Sequence, residues 1–190
     1  MIETEFDIGG LNLAALDNQG AGKLVVGLHG YLDNAESLRL LAPYLQSHRF
    51  VAIDLAGHGR SSHRAQGAHY NQVDYLQDLY ALIESQGWDE VILLGHSLGG
   101  ILASLFAALF PEKVAGVISI DACGPLTESE ETTATRMRES IVSRHTKSRN
   151  KLRLVELEDA VTARCKISDI PEEHARSILS RNLTQDAGGH

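Results

Sequence analysis

The chain has 190 residues, 43% hydrophobic and 22% charged, with a formal net charge of -8. That is long enough for one domain with a substantial core, and its composition is ordinary for a globular protein. The acidic balance excludes nucleic acid as the expected partner. Two distant cysteines, Cys123 and Cys165, in no CxxC pattern, argue against a disulfide framework or a zinc site.

The charge is unevenly spread. Residues 1–123 carry 6 basic against 14 acidic side chains, whereas residues 124–190 carry 11 of each. This divides the chain into a core over residues 1–123 and a segment of different character over 124–190. The opening residues hold three acids and no apolar stretch, and the longest apolar run, Ile101 to Phe110, is about half of what a bilayer span requires. The expectation is a cytoplasmic protein with no membrane partner.

Six strands are predicted in chain order: Glu3 to Ile8, Leu11 to Leu16, Leu24 to Leu28, Phe50 to Ile53, Val91 to Leu94 and Val114 to Ile120. The third to fifth are apolar at both alternations, as strands covered on both faces must be, which predicts a mostly parallel sheet between helices. Between the strands, Asp33-x-x-Glu36 reads as a capping box opening a helix with Leu38, Leu41 and Leu45 on its inner face, and Pro43 is discordant there. A second helix spans Asn71 to Gln86, with Val73, Leu76, Tyr80 and Ile83 as its stripe, and stops at Gly87. A third runs from the turn at Ser97 to Phe110, because Pro111 cannot continue it.

After Pro125 only helical patterns remain. The first covers about Glu128 to Arg149, with Met137 and Ile141 as its apolar pair; the second aligns Leu154, Leu157, Val161 and Cys165; the third opens at Pro171 and aligns Ala175, Ile178 or Leu179, and Leu183. Together they read as a helical lid followed by a frayed tail, Ala187-Gly188-Gly189-His190. The stretch from Arg136 to Arg153 holds seven basic residues and one acid, which reads first as a solvated helix face.

The chemistry concentrates at Gly95-His96-Ser97-Leu98-Gly99-Gly100, between the fifth strand and the third helix. A serine flanked by glycines at a strand-to-helix turn is a nucleophile elbow, in which the tight bend lifts the hydroxyl toward a substrate. Leu98 follows the nucleophile at a helix N-terminus, so its backbone N–H points toward developing negative charge. No phosphate-binding loop and no metal-ligand spacing is present, so neither cofactor nor metal is expected.

Three ordered motifs, Leu28-His29-Gly30-Tyr31-Leu32-Asp33-Asn34, Asp54-Leu55-Ala56-Gly57-His58-Gly59-Arg60-Ser61-Ser62 and the elbow, each following a predicted strand, resemble the α/β-hydrolase superfamily, most closely its cap-bearing serine hydrolase-like branch. The segment Phe110-Pro111-Glu112-Lys113-Val114 and a strand ending at Asp121 extend the match. The resemblance implies a mostly parallel sheet, a helical cap after the sixth strand, and two further strands that would follow that cap; the predicted fold is thus a shortened α/β-hydrolase core with a C-terminal cap. It also implies Ser97 as nucleophile, with the Tyr31 and Leu98 backbone N–H groups as oxyanion hole. Asp121 falls where some members carry the acid of the triad; otherwise it is a strand-end aspartate in a turn.

The histidine that the family places after its eighth strand has no counterpart in this sequence. His29, His58 and His96 sit inside motifs that supply structural reasons for them, and His96 adjoins Ser97 on a turn that points adjacent side chains apart. His63, His69, His145 and His174 fall in loops or the lid, and His190 on the terminus. The expected function is hydrolysis of an ester or thioester of a small acyl substrate, nearly silent in this chain alone. The alternatives are carbon–carbon bond hydrolysis in the same superfamily and a non-catalytic binding or oligomerisation module. A sheet ending at Val114 to Ile120 exposes an apolar edge, which predicts a homo-oligomer through that edge or through exchanged cap segments.

Overall fold

A computed structural model describes residues 1–122, 124–125, 127, 129–147 and 156–183 of the chain. Cys123, Leu154, the ends of the first helix expected after Pro125, part of the basic stretch and the tail with His190 lie outside the described residues. All six predicted strands form: β1 (Ile2–Asp7), β2 (Asn12–Asp17), β3 (Leu24–Leu28), β4 (Arg49–Ile53), β5 (Val91–His96) and β6 (Val114–Ile120). They make one sheet in the order β1-β2-β4-β3-β5-β6, antiparallel from β1 to β4 and parallel across β4, β3, β5 and β6.

The three doubly apolar strands are the central ones. Their two-residue period sends Val26, Leu28, Val51, Ile53 and Leu93 to one face, against α1 (Gln72–Ser85) and α2 (Leu98–Leu109). Val25, Phe50, Ala52 and Leu94 go to the other face, against Ala35 and Leu38. Both layers exclude water from the sheet, and such burial is the main stabilising term.

Two helical expectations need correction. The segment Ala35–Tyr44 winds as a 3-10 helix, and its N-cap is Asn34, whose side chain accepts the Glu36 N–H; there is no capping box from Asp33. Pro43 explains the tighter winding, since an α-helix would lose a bond there and press the ring on the preceding turn. In α1 the buried face is Tyr75, Leu76, Leu79, Leu82 and Ile83, whereas Val73 is 70% exposed and Tyr80 borders on solvent. Leu76 and Ile83 belong to both stripes, so the predicted one was rotated rather than misplaced along the chain.

Beyond β6 lie α3 (Glu130–Lys147), α4 (Leu157–Ser168) and α5 (Glu172–Asn182). Val161, Ala175 and Ile178 are buried as their spacing predicts, and α5 packs on the 3-10 segment. In contrast, Met137 and Ile141 of α3 are exposed. Strand β6 is an edge, with Val117, Ile118 and Ile120 between 39% and 47% exposed. Among the described residues no helix is long and apolar enough to cross a membrane.

Candidate active site

Ser97 joins β5 to α2 with φ 48° and ψ -113°, a backbone conformation that costs a residue with a side chain and is held here by its surroundings. Three glycines make that possible. A Cβ on Gly95 would fall on the Gly99 backbone, one on Gly99 would fall on the Leu28 carbonyl, and one on Gly100 would meet Ser119 and the Ala122 carbonyl. The bend is further pinned by the Ser97 N–H donating to the Ile120 carbonyl at 2.9 Å and by the Ile101 N–H donating to the Ser97 carbonyl. Ser97 itself is half-buried.

The loop after β3 stands beside this turn. A Cβ on Gly30 would come within 3.5 Å of Ser97 Cβ and 2.8 Å of His96 Nδ1, so a residue other than glycine would push the loop off the elbow. Tyr31 follows with its side chain 70% exposed. Asp121 lies just past Ile120 at the end of β6, exposed and with φ 65°, a left-handed turn conformation that aspartate tolerates. The fold therefore brings Gly30 and the end of β6 to the elbow, whereas no described histidine nitrogen hydrogen-bonds Ser97 Oγ.

His29 is a structural residue. It is fully buried, its Nδ1 bonds the Gly30 carbonyl at 2.7 Å, and its Nε2 accepts the Leu55 N–H at 3.0 Å. One nitrogen must donate and the other accept, so only the neutral ring fits. Burial, the largest cause, pushes its pKa down to about 3. Since the unfolded chain takes up this proton below about pH 6.5 and the folded one does not, His29 favours the folded state fully above that pH, and its contribution is lost toward pH 3. The loss approaches about 1.4 kcal/mol per pH unit. Imidazole ¹⁵N shifts should report a neutral Nδ1–H ring for His29 in folded protein at pH 5; a charged ring there would contradict this assignment. His58 packs against His29, with ring centroids 5.1 Å apart, and its Nδ1 lies 3.2 Å from the Ala56 carbonyl.

Among the described residues two arginines, Arg181 and Arg164, pair with core carboxylates and join the C-terminal helices to the core, and neither was foreseen. Asp54, fully buried, accepts from Arg181 Nε, from the Ala35 N–H at 2.7 Å and from the Arg60 N–H at 2.8 Å. Arg181 also reaches Glu3 through Nη1 at 2.6 Å. Near by, Asn34 Nδ2 donates to the Ile178 carbonyl and to Asn182 Oδ1. The second pair is Arg164 Nη2 to Asp33 Oδ1 at 2.9 Å. Asp54 could have been suspected as a charged residue ending an apolar strand inside a recognised motif, but Arg181 lies 127 residues away and carried no signal of its own.

Asp33 and Arg164 border a cavity of 640 Å³ between the 3-10 segment and helices α4 and α5, which His96 and Ile120, the neighbours of Ser97, also line. Burial pushes the Asp33 carboxyl upward in pKa while Arg164 pulls it back. Among the described residues no cluster of three or more His, Cys, Asp or Glu is arranged to hold a metal ion.

Comparison with known proteins agrees with this architecture. A family model described as the alpha/beta hydrolase fold matches residues 23–145. A serine hydrolase-like protein of Danio rerio is 40% identical over 121 residues, which is 63% of this chain and 37% of that protein. The crystal structure of a hypothetical protein from Pseudomonas aeruginosa PAO1 superposes with a TM-score of 0.90 at 37% identity, covering 98% of this chain and 66% of that one. A thioesterase domain from the curacin biosynthetic pathway superposes with a TM-score of 0.82 at 26% identity, covering 100% of this chain and 70% of that one. The chain thus spans between about a third and two thirds of the length of these two first-named relatives. A glycine-walled serine turn at the carboxyl end of a parallel strand, carried on this sheet order and matched over residues 23–145, makes the chain a member of the α/β-hydrolase family, in its serine hydrolase-like branch.

Proposed function

We propose that the chain carries the nucleophile and oxyanion hole of a serine hydrolase acting on an ester or thioester of a small acyl substrate. The observation that supports this most directly is Ser97 in a left-handed conformation that three glycines permit. Strain of that kind, at a strand-to-helix turn, aims the hydroxyl out of the backbone. In this reading Ser97 Oγ attacks the carbonyl carbon, and the negative charge that develops on its oxygen is held by the backbone N–H groups of Tyr31 and Leu98. Asp121 is the acid position of the site, next to the Ile120 carbonyl that Ser97 N–H engages. The likeness to a thioesterase domain at 26% identity supports acyl transfer as the reaction class.

A serine hydroxyl is a weak nucleophile until a base removes its proton. The proposed base is a histidine outside these 190 residues, and without it the chain retains only the catalysis of positioning and oxyanion stabilisation, about 10³ to 10⁴-fold over water. The test is labelling with an alkyl fluorophosphonate, read by intact mass. Slow labelling of the folded chain at Ser97, abolished by Ser97→Ala, is the expected result. Folded protein that never labels would instead favour a non-catalytic module of the same fold.

The exposed apolar residues of β6 support a further part of this reading, that copies of the chain form a homo-oligomer through that edge or through exchanged cap segments. Sedimentation velocity at micromolar concentration should show a dimer or larger species that Ile118→Lys returns to monomer. A monomeric parent chain would rule this association out.

A further inference from the structure

The cavity beside the elbow is walled on its apolar side by Leu38, Leu41, Ile120 and Ile178, and it contains one charged pair, Arg164 with Asp33. Arg164 presents five N–H donors in a planar fork. Among the described residues the only hydrogen bond its side chain makes is from Nη2 to Asp33 Oδ1, and its Nε is buried with no partner. Its side chain keeps 31% exposure, so part of the guanidinium faces open space, whereas Asp33 keeps 11%. Ser37, His96, Ser168 and His174 add polar groups to the lining, but the leucine and isoleucine walls accept no hydrogen bond, so a guanidinium with unused donors beside them gains from a ligand oxygen.

The charge balance then selects the kind of oxygen. Asp33 already neutralises Arg164, and a second carboxylate drawn to the same guanidinium would sit close to the first. Two like charges sharing one low-dielectric site repel. An uncharged carbonyl takes the unused N–H donors without that opposition.

Building on the reading of Ser97 as nucleophile, we propose that this chamber receives the acyl chain of the substrate, and that the chain carries an uncharged acceptor oxygen, a ketone or amide carbonyl, that bonds the unused terminal Nη–H groups of Arg164. Arg164 is thereby a specificity-determining residue, and Asp33 is the group that turns away acyl chains ending in a carboxylate.

The test separates this from the chemistry at Ser97 by measuring binding alone, in the Ser97→Ala chain, by isothermal titration. The ligands are N-methyloctanamide, the N-methyl oxo-octanamides with the ketone at carbons 3 through 6, and the monomethylamide of octanedioic acid. At least one oxo ligand should bind about tenfold tighter than N-methyloctanamide, the scale of one hydrogen bond to a charged donor. That advantage should vanish in Arg164→Met. The carboxylate ligand should show no advantage in the parent and should gain about tenfold in Asp33→Asn, a variant that also keeps the proposal readable if Arg164→Met fails to fold. Equal binding of plain and oxo ligands, an oxo advantage that survives Arg164→Met, tighter binding of the carboxylate to the parent, or no binding of any ligand would each overturn the proposal. Labelling of Ser97 is scored independently, so a silent serine with a selective chamber, or the reverse, tells the two readings apart.

Discussion

Gly99→Ala is expected to cost more than about 4 kcal/mol of stability, at the extreme of single-substitution effects, and to abolish labelling of Ser97. The added Cβ would land on the backbone carbonyl of Leu28. Neither partner can give way. Leu28 belongs to β3, which is hydrogen-bonded on both sides to β4 and β5, and Gly99 lies in the first turn of α2, whose Leu102 and Phe106 are fully buried. Relief therefore requires α2 to lift from the sheet, which would also release the turn that holds Ser97. Gly116→Ala in β6 is the control, since its Cβ would meet nothing within 4 Å, and it should stay within about 0.5 kcal/mol of the parent. Urea unfolding of both variants decides the matter. A Gly99→Ala chain as stable as Gly116→Ala would mean that the close packing of α2 on β3 is not what holds the elbow.

Arg181→Met comes next in magnitude, at about 3 to 5 kcal/mol, the range for breaking a buried pair by removing one partner. The Asp54 carboxylate has no exposure and would keep only the Ala35 and Arg60 amides as partners. Methionine retains much of the arginine stem's bulk, so the loss reports the missing charge more than missing volume. Because Arg181 fastens α5 to the end of β4, its replacement should expose α5 to proteolysis before the sheet unfolds. Adding Asp54→Asn should restore part of the loss, and the double-mutant cycle gives the coupling directly. The buried pair should also respond little to 0.5 M salt, in contrast to the exposed pair of Arg60 with Glu3. Additive losses in the cycle would show that the Arg181–Asp54 pair is not what holds α5 to the core.

These two expectations draw on different parts of what could be read in advance. The elbow was legible because glycine is the only residue that admits such close backbone approach, so Gly95, Gly99 and Gly100 mark the turn in any sequence that contains it. The six strands were legible because burial on both faces requires unbroken apolar runs, as in Leu24 to Leu28. The winding of Ala35–Tyr44 was not, since capping boxes and apolar spacing look alike in 3-10 and α-helices, and only Pro43 hinted at the outcome. The face of α1 was misread by the choice between Val73 or Tyr80 and Tyr75 or Leu79, residues similar enough in apolarity that packing alone distinguishes them.

By itself, then, the amino-acid order determined what depends on neighbours along the chain: the strands, the serine turn and the family to which both belong. The tertiary structure decided what depends on residues meeting across the fold. It placed Arg181 on Asp54 and Arg164 on Asp33, and it occupied both nitrogens of His29 with backbone groups. The reason is physical: local conformation is set by sterics and periodicity over a few residues, whereas the partner of a buried charge is whatever the packed chain brings within hydrogen-bonding distance, even from more than a hundred residues away.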